Sequence, residues 1–120
     1  MTGTSAFSTH LLDRAIDRQR QRREKRRQER LTLVLQAIDK LSCRVRFEEA
    51  YIFGSLAKPH RYFEGSDVDV AFVGLRDEDF FQAIAFLSRE LGTEVDVVQL
   101  EGHPLREKIL QEAIRWKRSG

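Results

Sequence analysis

The segment YIFGSLAKPHRYFEGSDVDVAFV, residues 51–73, decides how the chain is read. It divides into a strand at Tyr51–Phe53, a tight turn at Gly54-Ser55, a polar loop reaching Gly65, and a second strand in which Asp67 and Asp69 alternate with valines. Side chains on a strand alternate with period two, so the two carboxylates leave the same face as close neighbours. Val68, Val70, Phe72 and Val73 mark that strand as buried, and acidic side chains are rarely buried unpaired. A divalent cation between them resolves the conflict, and Mg²⁺ is commonly held by one or two carboxylates together with substrate phosphates. Gly54 lets backbone pass close to a ligand, while the Ser55 hydroxyl and nearby N–H groups offer donors to phosphate oxygens.

Working outward, the run Thr93-Glu94-Val95-Asp96-Val97-Val98 reads as a neighbouring strand with Glu94 and Asp96 on one parity and Val95 and Val97 on the other. Asp96, flanked by valines, is the third carboxylate: it either takes the proton of an attacking hydroxyl or helps hold the metal that lowers that hydroxyl's pKa.

Gly54-Ser55, eleven intervening residues, Asp67-Val68-Asp69 and a later strand Asp resemble the signature of the DNA polymerase beta-like nucleotidyltransferase superfamily. FGS…SDVDVAFV, EVDVV and the closing ILQEAIRW are most similar to its minimal nucleotidyltransferase domains, which include MntA-type antitoxins paired with HEPN-domain toxins. The resemblance covers residues 47–116 and leaves out the first thirty.

It implies an α+β fold, a small mixed β-sheet flanked by helices, here with a basic N-terminal helical extension. It further implies that Asp67, Asp69 and Asp96 bind one or two Mg²⁺ and carry catalysis, that Gly54, Ser55 and Ser66 contact the nucleotide, and that ATP is the substrate. Lys58 is the best candidate for a basic side chain on the phosphates. The family's basic Gly-Ser-Arg-Ala-Arg-Gly wording is altered here to Gly-Ser-Leu-Ala-Lys-Pro, with Leu56, Lys58 and Pro59 in place of two arginines and a glycine. The implied activity is transfer of AMP to a hydroxyl, such as a tyrosine of a HEPN-type toxin, which the protein would neutralise as its antitoxin. Two other readings stand beside it: a nucleotide-binding module that blocks its partner by contact alone, and an adapter held on RNA by its basic arm.

The chain of 120 residues is long enough for one hydrophobic core and too short for two. No run approaches the eighteen apolar residues that span a bilayer, and the N-terminus lacks a signal peptide's apolar segment. With its single Cys43, taken as a reduced structural thiol, this places the protein in the cytoplasm. Charge is unevenly spread. Residues 14–30 hold nine basic and three acidic side chains, leaving 12 basic and 16 acidic elsewhere, so a basic leader precedes an acidic body.

We therefore divide the chain into a leader, residues 1–30, and a nucleotidyltransferase domain, residues 31–120. Residues 1–9 read as disordered, and Asp17–Arg30 as an exposed helix without an apolar face, a candidate arm for nucleic acid. Leu31, Val34, Leu35, Ile38 and Leu41 form an amphipathic stripe. A second helix runs from an N-cap at Asp77 to Leu91, with Phe80, Phe81, Ile84, Phe86 and Leu87 on its apolar face and Gly92 closing it. A last helix is expected from Pro104 through Trp116. His60 has no partner at metal-ligand spacing.

Overall fold

In the computed structural model, which describes the backbone of residues 2–118 and side chains from His10 onward, a single helix α1 (Thr2–Ser42) leads into strand β1 (Glu49–Phe53). A 3₁₀ turn (Gly54–Ala57) and a loop connect to β2 (Val68–Val73), followed by α2 (Phe80–Leu91), β3 (Val95–Gln99), a short α3 (Arg106–Glu112) and β4 (Ile114–Arg115). The strands form one mixed sheet in the order β3-β2-β1-β4, antiparallel except for the parallel pair β2 and β3.

Each face of this sheet has its own cover. Ala50, Ile52, Val68, Val70, Phe72, Val95 and Val97 point one way, where α1 brings Val34, Ala37, Ile38 and Leu41 and α2 brings Ala83, Leu87 and Leu91. The opposite parity, Tyr51, Ala71 and Leu100, meets Ile109 of α3 with Phe53, Val73 and Val98 around it. Because α3 has only seven residues, it shields only part of that face. Carboxylates at positions 69 and 96 fall on the parity it leaves open, so the strand is buried on one side and wet on the other. The sequence pattern had suggested burial alone.

Three features differ from the expectations. Residues 2–9, expected to be disordered, are helical, and α1 runs unbroken from them through the basic stretch into the Val34–Leu41 stripe. Nor is the basic stretch uniformly exposed. Arg27 is buried, its Nε paired with Glu24 and its Nη1 donating to the carbonyl of Leu56 at 2.8 Å. Arg30 donates to the carbonyl of Leu91 at 3.0 Å. Guanidinium groups therefore do the anchoring that an apolar stripe does further along, and they do it through carbonyl groups that a hydrophobicity pattern cannot register.

The third difference is at the C-terminus, where the helix expected through Trp116 stops at Glu112. Ala113 is extended, and Ile114-Arg115 pair with β1 opposite Ile52 and Tyr51. The Trp116 N–H donates to the carbonyl of Ala50 at 2.9 Å, its ring lies 5.2 Å from that of Phe47, and its Nε1 donates to Asp39 at 2.7 Å. Sealing the sheet edge satisfies β1 backbone groups that a continued helix would leave unpaired.

Smaller departures follow the same logic. Asp77–Asp79 form a 3₁₀ turn ahead of α2, Phe81 points outward at 78% exposure, and Gly92 ends α2 in the left-handed conformation. Cys43 is exposed, a surface thiol and not a structural one. Among the described residues no helix is long and apolar enough to cross a membrane.

The radius of gyration, 18.4 Å, exceeds the roughly 14 Å of a compact chain this size. The excess is the N-terminal half of α1, which projects from the body and stretches the molecule to 68 Å.

Candidate active site

Register places the site. Asp69 is the β2 partner of Asp96 on β3, and its partner on the other side is Phe53, the last residue of β1. The chain turns immediately after Phe53, which lays Gly54 against the Asp69 carboxylate. A Cβ on Gly54 would lie 2.3 Å from Asp69 Oδ2, and φ at Gly54 is +76°, so both space and backbone conformation require glycine. The glycine singled out in the sequence is thus the residue that lets the turn close over the acid.

Asp69 is half-buried, and its pKa is pushed up to about 6. Burial is the first cause; the charges of Asp96 and Asp67 add to it, as does a side-chain hydrogen bond with Asp96. Two carboxylates sharing a hydrogen bond on an open sheet face constitute an electrostatic deficit that a cation or a proton fills. Asp67 contributes charge from just outside β2, where it is exposed. Among the described residues no group of three or more His, Cys, Asp or Glu is gathered into a finished cage. An open pair of carboxylate donors suits Mg²⁺, which keeps waters and takes its remaining oxygens from phosphate groups.

Beside the pair opens a cleft of about 830 Å³. Gly54, Asp69 and Asp96 border it together with Lys58, and its apolar walls come from Phe80 and Ile84 of α2 and Leu105 and Ile109 near α3. A cleft of this volume, apolar with a few convergent polar groups, suits a small-molecule ligand. Lys58 Nζ lies 3.2 Å from Glu112 Oε2, linking the turn to α3 across the cleft. Lys108 is a second ammonium on the wall that the sequence reading missed; its only sequence signal was a position one residue before the buried Ile109.

Not every sequence candidate faces the cleft. Ser55 opens the 3₁₀ turn beside Gly54, and its carbonyl accepts from the Lys58 N–H. The Ser66 hydroxyl accepts from the Phe63 N–H at 3.2 Å and so shapes the turn into β2. His60 is exposed and borders a separate hollow with Arg20 and Arg23.

Known proteins share the fold that carries this site. A family model described as polymerase beta nucleotidyltransferase matches residues 36–117. A solved structure assigned as a minimal nucleotidyltransferase is 31% identical, with a TM-score of 0.55, over 76% of this chain and 92% of that one. A toxin–antitoxin structure with AMP-PNP superposes with a TM-score of 0.60 at 21% identity, covering 71% of this chain and 73% of that chain. A mutant of the toxin–antitoxin pair MntA–HpeT superposes with a TM-score of 0.59 at 18% identity over the same shares, likewise a likeness of fold. No curated protein gives a significant match. The carboxylate pair in register across β2 and β3, the glycine turn closed over it and the family match together show that the chain belongs to the polymerase beta nucleotidyltransferase family.

Proposed function

We propose that the protein is a Mg²⁺-dependent nucleotidyltransferase that transfers AMP from ATP to a hydroxyl of a protein partner, a tyrosine of a HEPN-type toxin, and thereby acts as an antitoxin in the cytoplasm. The observation that carries this reading is the Asp69–Asp96 pair beneath Gly54, bordering a cleft of nucleotide size. Support for the partner comes from the fold shared with proteins solved as toxin–antitoxin complexes, one of them with AMP-PNP.

The chain's own residues divide the work. Asp69 and Asp67 would hold Mg²⁺, which when bound neutralises the triphosphate and stabilises the charge that develops on transfer. Asp96, exposed at the mouth of the pair, accepts the proton of the incoming hydroxyl. Gly54 and Ser55 present backbone N–H groups and a hydroxyl to the departing phosphates, and Ser66 fixes the turn that delivers Asp67. Lys58 and Lys108 supply positive charge, Lys58 by exchanging Glu112 for a phosphate.

The nucleic-acid reading of residues 14–30 is narrowed by the fold. Arg27 and Arg30 are bonded to body carbonyls, Arg26 pairs with Glu64 and Arg23 lies over the Phe63 ring, so Arg14, Arg18, Arg20, Arg22 and Lys25 carry what outward charge remains.

The test is incubation with labelled ATP, Mg²⁺ and the product of the adjacent gene. Label should pass to that partner, and Asp69→Asn should abolish the transfer. If Asp69→Asn neutralises the partner as well as the native protein does, contact and not chemistry is the function.

A further inference from the structure

β3 is an edge strand, and the way it pairs leaves a defined set of backbone groups open. In a parallel ladder, alternate residues direct both N–H and C=O to the same neighbour. The carbonyl of Glu94 accepts from Val68 N and the Leu100 N–H donates to Phe72 O, which assigns the even-numbered residues 94 to 100 to β2. Val95, Val97 and Gln99 therefore point their N–H and C=O away from the sheet, and among the described residues no main-chain hydrogen bond engages them.

This free edge is part of the cleft wall. Glu94–Val98 border the cleft, Phe80 and Ile84 flank them on the α2 side, and Leu105, 56% exposed, flanks them on the α3 side. A row of donors and acceptors at strand spacing between apolar walls is complementary to another extended polypeptide and to little else. On the strand and at its far end the charge is acidic, with Glu94 and Asp96 exposed on β3 and Asp77, Glu78 and Glu101 exposed beyond it, Glu78 paired with Arg76, while Lys58 and Lys108 stand elsewhere on the cleft wall.

Resting on the nucleotidyltransferase reading above, we propose that the acceptor is presented as an extended, basic segment of the partner that adds to the sheet as a fifth strand beside β3. Its acceptor side chain shares the parity of Asp96 and Asp69, opposite Asp96 or two residues along. Directly opposed strand residues stand about 5 Å apart at Cβ, which brings the hydroxyl onto the carboxylate face. The hydroxyl oxygen then bonds to the α-phosphorus of ATP, the bond from that phosphorus to the bridging oxygen breaks, pyrophosphate leaves with the electron pair, and the proton passes to Asp96. Residues on either side of the acceptor face the opposite way, onto Phe80 and Ile84, so strand addition demands specificity with period two: apolar at −1 and +1, with Lys or Arg outside them.

The experiment uses the full chain with a positional-scanning library of synthetic peptides. Each peptide carries one tyrosine, threonine or serine among randomised residues, and labelled ATP and Mg²⁺ are supplied. Label incorporation should show the period-two preference. In the native protein, peptide binding should slow hydrogen exchange at the amides of Val95, Val97 and Gln99 at least tenfold. Val97→Pro removes an outward donor that an edge strand can spare, and should lower peptide labelling at least tenfold.

ATP affinity, measured separately on the native protein and on Asp69→Asn, reports whether the nucleotide reading stands. If ATP binds and Asp69 matters while no peptide is labelled, or while the three amides exchange as fast as in the free protein, strand addition is overturned and the transferase is not. If Val97→Pro is misfolded, the exchange measurement on the native chain decides.

Discussion

Replacing Asp69 by Asn should stabilise the protein at neutral pH while destroying its transferase site. Its carboxyl is raised from 3.8 to about 6, so the folded state holds a proton there more tightly than the unfolded chain does. That stabilising contribution is complete below about pH 4 and is lost as pH rises through 6, leaving a penalty at pH 7.5. A displacement of about two pKa units corresponds to roughly 3 kcal/mol. Since the side chain is half exposed, solvent screening reduces this to about 1–2 kcal/mol. Asn carries no charge and retains a donor toward Asp96, so Asp69→Asn should gain that amount at pH 7.5, a rise in Tm of roughly 5 °C, and nothing at pH 4. Thermal unfolding of both proteins by circular dichroism at pH 4, 5, 6 and 7.5, without divalent cations, measures the difference and cancels the contributions of every other group. A destabilised Asp69→Asn at pH 7.5, or a gain that persists unchanged at pH 4, refutes the argument that burial and the neighbouring acids burden the Asp69 carboxylate.

Other outcomes follow from the same geometry. Gly54→Ala forces a Cβ against Asp69 and a strained φ, and should cost about 1–3 kcal/mol in chemical denaturation and weaken ATP binding measured by calorimetry. Asp96→Asn should lower the rate of label transfer by about 10²–10⁴ with ATP affinity little changed, which single-turnover kinetics can separate. Arg27→Ala strips the partner from the carbonyl of Leu56 and from Glu24, and should destabilise by about 2–4 kcal/mol in urea titration, whereas Arg22→Ala, on the exposed face, should lie within about 0.5 kcal/mol. If the arm binds RNA, replacing Arg14, Arg18, Arg20, Arg22 and Lys25 with Ser should flatten the salt dependence of binding in a filter assay; no binding by the native chain, or binding without a salt slope, removes the adapter reading.

The site was legible where one local rule controls one position. Period two picked out Asp69 on one strand and Asp96 on the other, which register then sets side by side, the turn glycine foretold a close approach, and Gly92 announced the end of α2. Reading failed where a decision belongs to a distant element. Ile109, Leu110, Ala113, Ile114 and Trp116 fit a helical stripe, yet the empty edge of β1 claims Ile114 and Arg115, and about the last turn gives way to a strand. Arg27 looks like any other arginine in a basic run because its partner, the Leu56 carbonyl, lies 29 residues away. Lys108 was passed over, and Leu105 reads only as a member of a helical stripe, because a cleft is assembled from separate elements and no spacing within one of them reveals it.

From His10 to Ser42 the first helix contains neither glycine nor proline, so nothing in its sequence supplies a joint between the projecting half and the half packed on the sheet. Its His10 stands about 25 Å along the axis from Arg27, whose guanidinium holds the carbonyl just behind the Gly54-Ser55 bend. A contact made on the projecting half is therefore held at a fixed distance and bearing from the acid pair, as a handle holds its blade.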